Sequence, residues 1–362
     1  MQLVKSALHI ILLTGTVWLL FGTSFSCRDP KPMPPDDKDS FPAFDPTYID
    51  FKVPEGFPLM EIPEDNALTE EGVALGRKLF YDPILSGDST LSCAGCHKSR
   101  AAFSDDRRFS FGIDGSIGTR QAMQIINPGW MPKLFWDGRA KSVEDQALAP
   151  VENPVEMKAH WPMVVDRLKA SKEYRLLFHQ AFGTADITKE LAVKAIAQFE
   201  RTFLSYRSKF DRERLGKVFY DVEEQDGYDM FFSERGDCFH CHGGVLLTDN
   251  AFHNNGLDTV PEDTGLEEVT HSEFDRGKFK TPTLRNIELT APYMHDGRFR
   301  TLEEVIDFYS EGLQPSKTID PLMKAIRNRG KHFTPYEKKA LLAFLKTLTD
   351  TAFVNNPALQ PL

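Results

Sequence analysis

Apolar positions recur at helical spacing in three stretches of the chain. Residues 188 to 204, TKELAVKAIAQFERTFL, predict a helix that closes the first half. Residues 334 to 348, TPYEKKALLAFLKTL, predict another, with Thr334 as N-cap, Pro335 at the first helical position and Glu337 as capping-box partner. Within 301 to 312, Thr301 and Glu304 form a second capping box and Gly312 a stop. There Leu302, Val305, Ile306 and Tyr309 recur at i, i+3, i+4 and i+7, which puts Tyr309 on the buried face with a hydroxyl in need of a partner. Alternating strand runs are few, and long aperiodic stretches such as 98 to 135 and 243 to 300 remain. Loops of that length usually wrap something. The fold class is therefore mainly α with long loops.

The pattern also repeats. WDGRAKSVEDQALAP, residues 136 to 150, overlays HDGRFRTLEEVIDFY, residues 295 to 309, without a gap. Trp136 then matches His295, and Pro150, which offers no donor atom, matches Tyr309. The chain reads as a duplication, and each half should hold a version of the same chemistry.

Cysteines identify that chemistry. Four of the five form two pairs, Cys93-Ala-Gly-Cys96-His97 and Cys238-Phe-His-Cys241-His242. Each is C-x-x-C-H, the attachment pattern of c-type haem, in which two thiols reach the vinyl groups and the next histidine places its imidazole under the iron. A shared tetrahedral zinc is the competing reading, but more than a hundred residues separate the pairs and each carries its own histidine. A redox dithiol is the other, and an exported chain in an oxidising compartment disfavours it. Two covalent haems in tandem cytochrome c-type domains follow. Tyr309 is then either an ordinary core tyrosine or an iron ligand of the second haem.

Composition sets the surroundings. A net charge of −10 argues against nucleic acid, which needs clustered basic side chains, and suits a basic protein partner. Lys5, the apolar run from Ala7 to Phe21 and the small residues before Cys27 have the layout of an export signal. Ser24-Phe25-Ser26-Cys27 resembles a loose lipoprotein box, with an uncleaved anchor or a simple signal peptide as alternatives. The expected organisation is a leader with acylated Cys27 over 1–27, a Pro/Asp-rich flexible tether over 28–59, haem domains over 60–205 and 206–350, and a tail over 351–362.

From about residue 60 to 350 the chain resembles the bacterial di-haem cytochrome c peroxidase family, which includes MauG. The resemblance runs through LGRKLFYDPILSGDSTLSCAGCH, FWDGR, TPTLRN, LTAPYMHDGRF and TLEEVIDFY. It implies that Cys93, Cys96 and His97 hold a peroxidatic haem, and Cys238, Cys241 and His242 an electron-transfer haem. It implies Trp136 as a relay between them, Gln146, Pro150 and Glu156 as the pocket where hydrogen peroxide binds, and Tyr309 as second axial ligand, as in the MauG branch. Met294 is the competing donor. No histidine lies between His97 and Arg120 to close the first iron, so that site is expected to be open.

The family's calcium site would fall on Gln121, Thr290 and Pro292, with Gln121 where the family has Asn. Gly236 stands where the MauG branch has the surface tryptophan that oxidises its protein substrate. Arg139, Arg285 and Arg298 are candidates to neutralise haem propionates, with an ordinary surface salt bridge as the equal alternative for each; His240 is expected to face solvent, and His295 to bind a propionate or orient a loop. The implied activity is peroxide reduction with electrons from a small cytochrome c or similar donor, in the periplasm, often as a homodimer. Oxidation of a protein or organic substrate and passive electron transfer are the alternatives.

Overall fold

The computed structural model describes residues 41–361, so the leader, Cys27 and the first part of the expected tether lie outside the described residues. The first half contains α1 (Glu70–Tyr81), α2 (Val143–Glu152), α3 (Trp161–Ala170), α4 (Lys172–Phe182) and α5 (Lys189–Glu200). Then come α6 (Lys209–Arg214), α7 (Val222–Phe231), α8 (Phe239–His242), α9 (Glu267–Thr270), α10 (Leu302–Asp307), α11 (Pro335–Lys346) and α12 (Thr351–Val354). The described strands are two short ones, β1 (Phe252–His253) and β2 (Phe279–Lys280), paired antiparallel. No described helix is long and apolar enough to cross a membrane.

Each half is organised by one helix crossing. Gly76 of α1 meets α5 so closely that a Cβ would lie 1.9 Å from the Ala195 carbonyl oxygen and 2.8 Å from Phe199 Cβ. Gly227 of α7 meets α11 in the same way, 2.0 Å from the Ala340 carbonyl oxygen and 2.8 Å from Phe344 Cβ. Only glycine lets two helix backbones approach this far. Phe80, Phe103, Phe199, Phe203 and Phe353 form an aromatic cluster beside the first crossing. Phe210, Phe231, Leu341 and Phe344 pack around the second.

The duplication read from the sequence extends to the backbone. Asn127, Phe135 and Gly138 have positive φ, as do Asn286, Met294 and Gly297 at matching places in the second half. The bridge Leu134–Ala140 has its counterpart in Tyr293–Phe299.

Three expectations change. The helix expected over 188–204 ends at Glu200, and that expected over 334–348 ends at Lys346 with its capping box intact. The third predicted helix keeps its Thr301/Glu304 box but is α only to Asp307, after which Phe308–Gly312 form a π-helical turn that carries Tyr309. Its freed carbonyls are taken from outside, Tyr309 O by Lys331 N at 3.0 Å and Ser310 O by His332 N at 2.8 Å. The tether, finally, is docked from residue 42 onward. Ile49 N bonds Leu68 O at 3.0 Å, Trp130 Nε1 donates to Pro58 O at 2.9 Å, and Phe57 packs on Trp130. The tail also docks, with Arg77 donating to Gln360 O at 2.8 Å and Leu359 buried.

Gly76→Ala and Gly227→Ala should each destabilise by about 2–3 kcal/mol through overpacking, read as a lower thermal midpoint. Gly118→Ala, whose Cβ would meet nothing nearer than 3.9 Å, should stay within about 0.5 kcal/mol of the parent. Equal effects at all three positions would contradict the crossing account.

Candidate functional site

The second half encloses a cavity lined by Cys238, Cys241 and His242 together with Asn255, Met294 and Tyr309. The His242 ring nitrogen Nδ1 lies 3.3 Å from Leu247 O, a carbonyl presented by a residue at φ 52°. An Nδ1–H donated to a carbonyl leaves Nε2 as the free lone pair. Burial lowers the His242 pKa to about 4, so the ring is held neutral, the form a metal needs. Facing this wall, Tyr309 accepts a hydrogen bond from Asn255 Nδ2 at 3.1 Å, and the same amide lies 3.7 Å from Met294 Sδ. Burial pushes the Tyr309 phenol up to about 12, with the Asn255 hydrogen bond pulling the other way. Both sequence-level donors therefore stand at one amide.

The first half repeats the anchoring. Cys93–Gly95 form a tight 3-10 turn, and His97 Nδ1 lies 2.9 Å from Phe103 O, again a carbonyl from a left-handed residue, at φ 60°. Gln146 and Pro150 are one turn apart on α2 and share a face. Pro150 has no N–H, so the Gln146 carbonyl loses its helical partner, and α2 ends two residues later. The turn that follows brings Glu156 back, its N–H bonded to Asn153 O at 3.1 Å and its carboxylate accepting from Asn153 Nδ2 at 2.6 Å. Burial raises the Glu156 pKa, while Arg139 and Asn153 oppose it. Burial raises the thiols of Cys93 and Cys96, and the Glu156 charge adds a lesser push in the same direction at both. All four thiols are free.

Trp136 joins the halves. It is 8% exposed, its indole N–H donates to Gln121 O at 2.8 Å, and its own carbonyl accepts from Lys280 N at 2.8 Å. Gln121 N in turn donates to His295 O at 2.7 Å, and the His295 ring stacks on Phe279 at 3.7 Å between centroids. Trp136, Gln121, Thr290, Pro292 and His295 all line the second cavity. The neighbouring Asp137 is buried and pairs with Arg120 and Arg139, and Arg120 continues to Asp263 at 2.7 Å.

The three arginines take the salt-bridge alternative, and His240 also has a protein partner. Arg285 is 1% exposed and bound bidentately by Asp211 at 2.9 and 2.7 Å. Arg298 is held by Asp258 at 2.9 and 2.8 Å and by Asp296. Arg139 pairs with Asp137 at 2.7 Å and stacks on Phe135. Each guanidinium is already paired with protein carboxylates, local ones at Asp137 and Asp296 and distant ones at Asp211 and Asp258. His240 keeps a partly exposed side chain, 26%, and is hydrogen bonded through Nδ1 to Asp237 at 2.6 Å.

Sequence reasoning passed over Asn255 and Lys280, and His253, whose two nitrogens lie 2.6 Å from Asp320 and 2.8 Å from Asp249. None belongs to a local motif. Lys280 adjoins the quoted TPTLRN stretch, and only its alternation with the buried Thr281 in a short strand could have drawn notice.

Comparison with known proteins agrees with this geometry. A family model described as di-haem cytochrome c peroxidase matches residues 70–218. Methylamine utilization protein MauG of Methylorubrum extorquens is 36% identical over 82% of this chain and 83% of its own. Cytochrome c551 peroxidase of Nitrosomonas europaea is 34% identical over 84% of this chain and 87% of its own. The crystal structure of a MauG-like protein associated with microbial copper homeostasis superposes with a TM-score of 0.81 at 38% identity, covering 86% of this chain and 99% of that one. Two c-type haems fit the residues present, since each C-x-x-C pair is free and each following histidine is pinned through Nδ1. The chain belongs to the di-haem cytochrome c peroxidase family.

Proposed function

We propose that this protein is a periplasmic di-haem peroxidase that reduces hydrogen peroxide to water with electrons from a small cytochrome c or similar donor. The observation that carries the reading is the pair of Nδ1-anchored histidines, each directly after a C-x-x-C pair of free thiols, the second lining one cavity with a tyrosine. Cys93, Cys96 and His97 would hold one haem, and Cys238, Cys241 and His242 the other. The bound haems supply the iron redox chemistry that accepts and stores electrons.

The chain's residues do the rest. Glu156, made more basic than an ordinary glutamate by burial, takes a proton from peroxide and returns it to the departing oxygen at the same carboxylate. Gln146, one helical turn before Pro150, offers an amide to orient the peroxide, while Pro150 contributes no donor that could close the iron. Trp136 is bonded to both halves through its indole and its carbonyl and would relay electrons between them. Tyr309, positioned by Asn255 and by the π-turn, would be the second protein donor to the haem held by His242.

A MauG-like oxidation of a protein or organic substrate is favoured by Tyr309. It is opposed at Gly236, which is buried, with a Cβ there only 2.3 Å from Met230 O, so no outward side chain can stand at that place. One calcium ion is part of the proposal. Gln121 spends its amide N–H on Asp105 O at 3.0 Å, leaving its amide oxygen to join the Thr290 and Pro292 carbonyls on the same cavity wall. Acylation at Cys27 would tether the enzyme to a membrane.

Glu156→Gln should lower kcat/KM for peroxide by about 10²–10⁴-fold while both haems stay bound. Because burial raises the Glu156 pKa, the carboxylate is lost as pH falls through a value above the ordinary glutamate range. The acidic limb of kcat/KM should sit there and vanish in the variant; an unchanged limb would exclude Glu156 as the proton carrier. Tyr309→Met should raise the second haem's midpoint potential, since a neutral thioether favours the ferric state less than a phenolate. If Met294→Leu shifts that potential and Tyr309→Met does not, Met294 is the ligand.

A further inference from the structure

The mechanism leaves one buried cation unused. Lys280 in β2 is 1% exposed, and its Nζ has no hydrogen-bond partner although it lines the second cavity with Cys238, Cys241, His242 and Trp136. A buried ammonium without a counter-charge is unfavourable by several kcal/mol, so the site is incomplete as the polypeptide alone presents it. Burial holds the amine down at about 8, with Asp249 working against it.

The other cations nearby are spoken for. Lys324 and Lys331 line the same cavity but pair with Glu234 at 2.9 Å and Asp237 at 2.9 Å. Arg120, Arg285 and Arg298 hold Asp263, Asp211 and Asp258. Among the described lysines and arginines lining the cavity, Lys280 is the one without an acid. It needs an anion, and the cavity needs a ligand that brings one.

Lys280 is also placed on the anchoring side. Two residues on from Lys280, the Pro282 carbonyl bears on the His242 ring, whereas Tyr309 and Met294 converge on Asn255. We propose that Lys280 Nζ is the counter-cation of a propionate on the haem carried by Cys238, Cys241 and His242. This rests on the reading that the second haem occupies this cavity. The backbone N–H of Lys280 donates to the Trp136 carbonyl at 2.8 Å. One residue therefore ties the acid arm of the cofactor to the segment that carries the relay tryptophan. This role goes to Lys280, where the sequence pointed to arginines, because those arginines are neutralised within the protein.

The test uses the full-length, haem-loaded protein with Lys280→Met and Lys280→Arg. Haem content is read by pyridine haemochrome, and each haem's potential by optical redox titration. Two haems per chain are expected in both variants. The second haem's midpoint potential should fall in Lys280→Met, because removing a positive charge favours the ferric state, and should return most of the way in Lys280→Arg. The first haem's potential should move less. An unchanged second potential in a fully loaded Lys280→Met protein overturns the proposal and leaves the two-haem reading intact, whereas a single haem in the parent overturns that reading. Loss of the low-spin signature in Lys280→Met also overturns it, by making Lys280 an iron ligand. Should Lys280→Met fail to load, resonance Raman of Lys280→Arg against the parent decides. A shifted propionate bending band supports the contact, and an identical band overturns it.

Discussion

An imidazole that gives Nδ1–H to a main-chain carbonyl has one nitrogen left, and its direction is set by that bond. Both C-x-x-C-H histidines are held this way, His97 by Phe103 and His242 by Leu247, and both carbonyls come from residues in the left-handed region. A bulky residue at positive φ is unfavourable on its own, by about 1–3 kcal/mol. It persists because the surrounding core requires it. Phe103 is buried among Phe80, Phe203 and Phe353, and Leu247 among the second cluster. Packing thus supports a local strain that in turn aims the ring. The glycine crossings Gly76–Ala195 and Gly227–Ala340 supply the scaffolds against which both segments are built.

On these two matched frames the halves diverge. Where the first has Pro150 within α2, the second has Tyr309 in a π-turn whose carbonyls are taken by Lys331 and His332. One substitution removes a donor and the other adds one, and the nearby carboxylates follow suit. In the first half the Glu156 carboxylate is bonded to Asn153, while the second half places Asn255 at its tyrosine. The proposed division between a reacting and an electron-storing iron would call for this difference, and Trp136 is hydrogen bonded to Gln121 in one half and Lys280 in the other.

Much of this was legible in the sequence because it is local. The C-x-x-C-H motifs, the capping boxes of α10 and α11 and the WDGR/HDGR duplication each occupy a few adjacent residues, and the structure carries the duplication down to shared left-handed positions. What escaped depends on distant partners. The π-turn at Tyr309 is stabilised by residues more than twenty positions later, so periodicity alone continued the α-helix through it. Arg285 is held by Asp211 and Arg298 by Asp258, pairings that no spacing rule reveals. Lys280 became visible only once its missing partner did, since an orphaned ammonium is a property of the fold and of no single motif.

The central claim is that one haem site is open for peroxide and the other is closed by a protein ligand. Low-temperature EPR of the ferric protein as isolated, before and after one equivalent of peroxide, tests it most directly. The account predicts a high-spin signal beside a low-spin one, both diminished by peroxide. Two low-spin signals that ignore peroxide would contradict it.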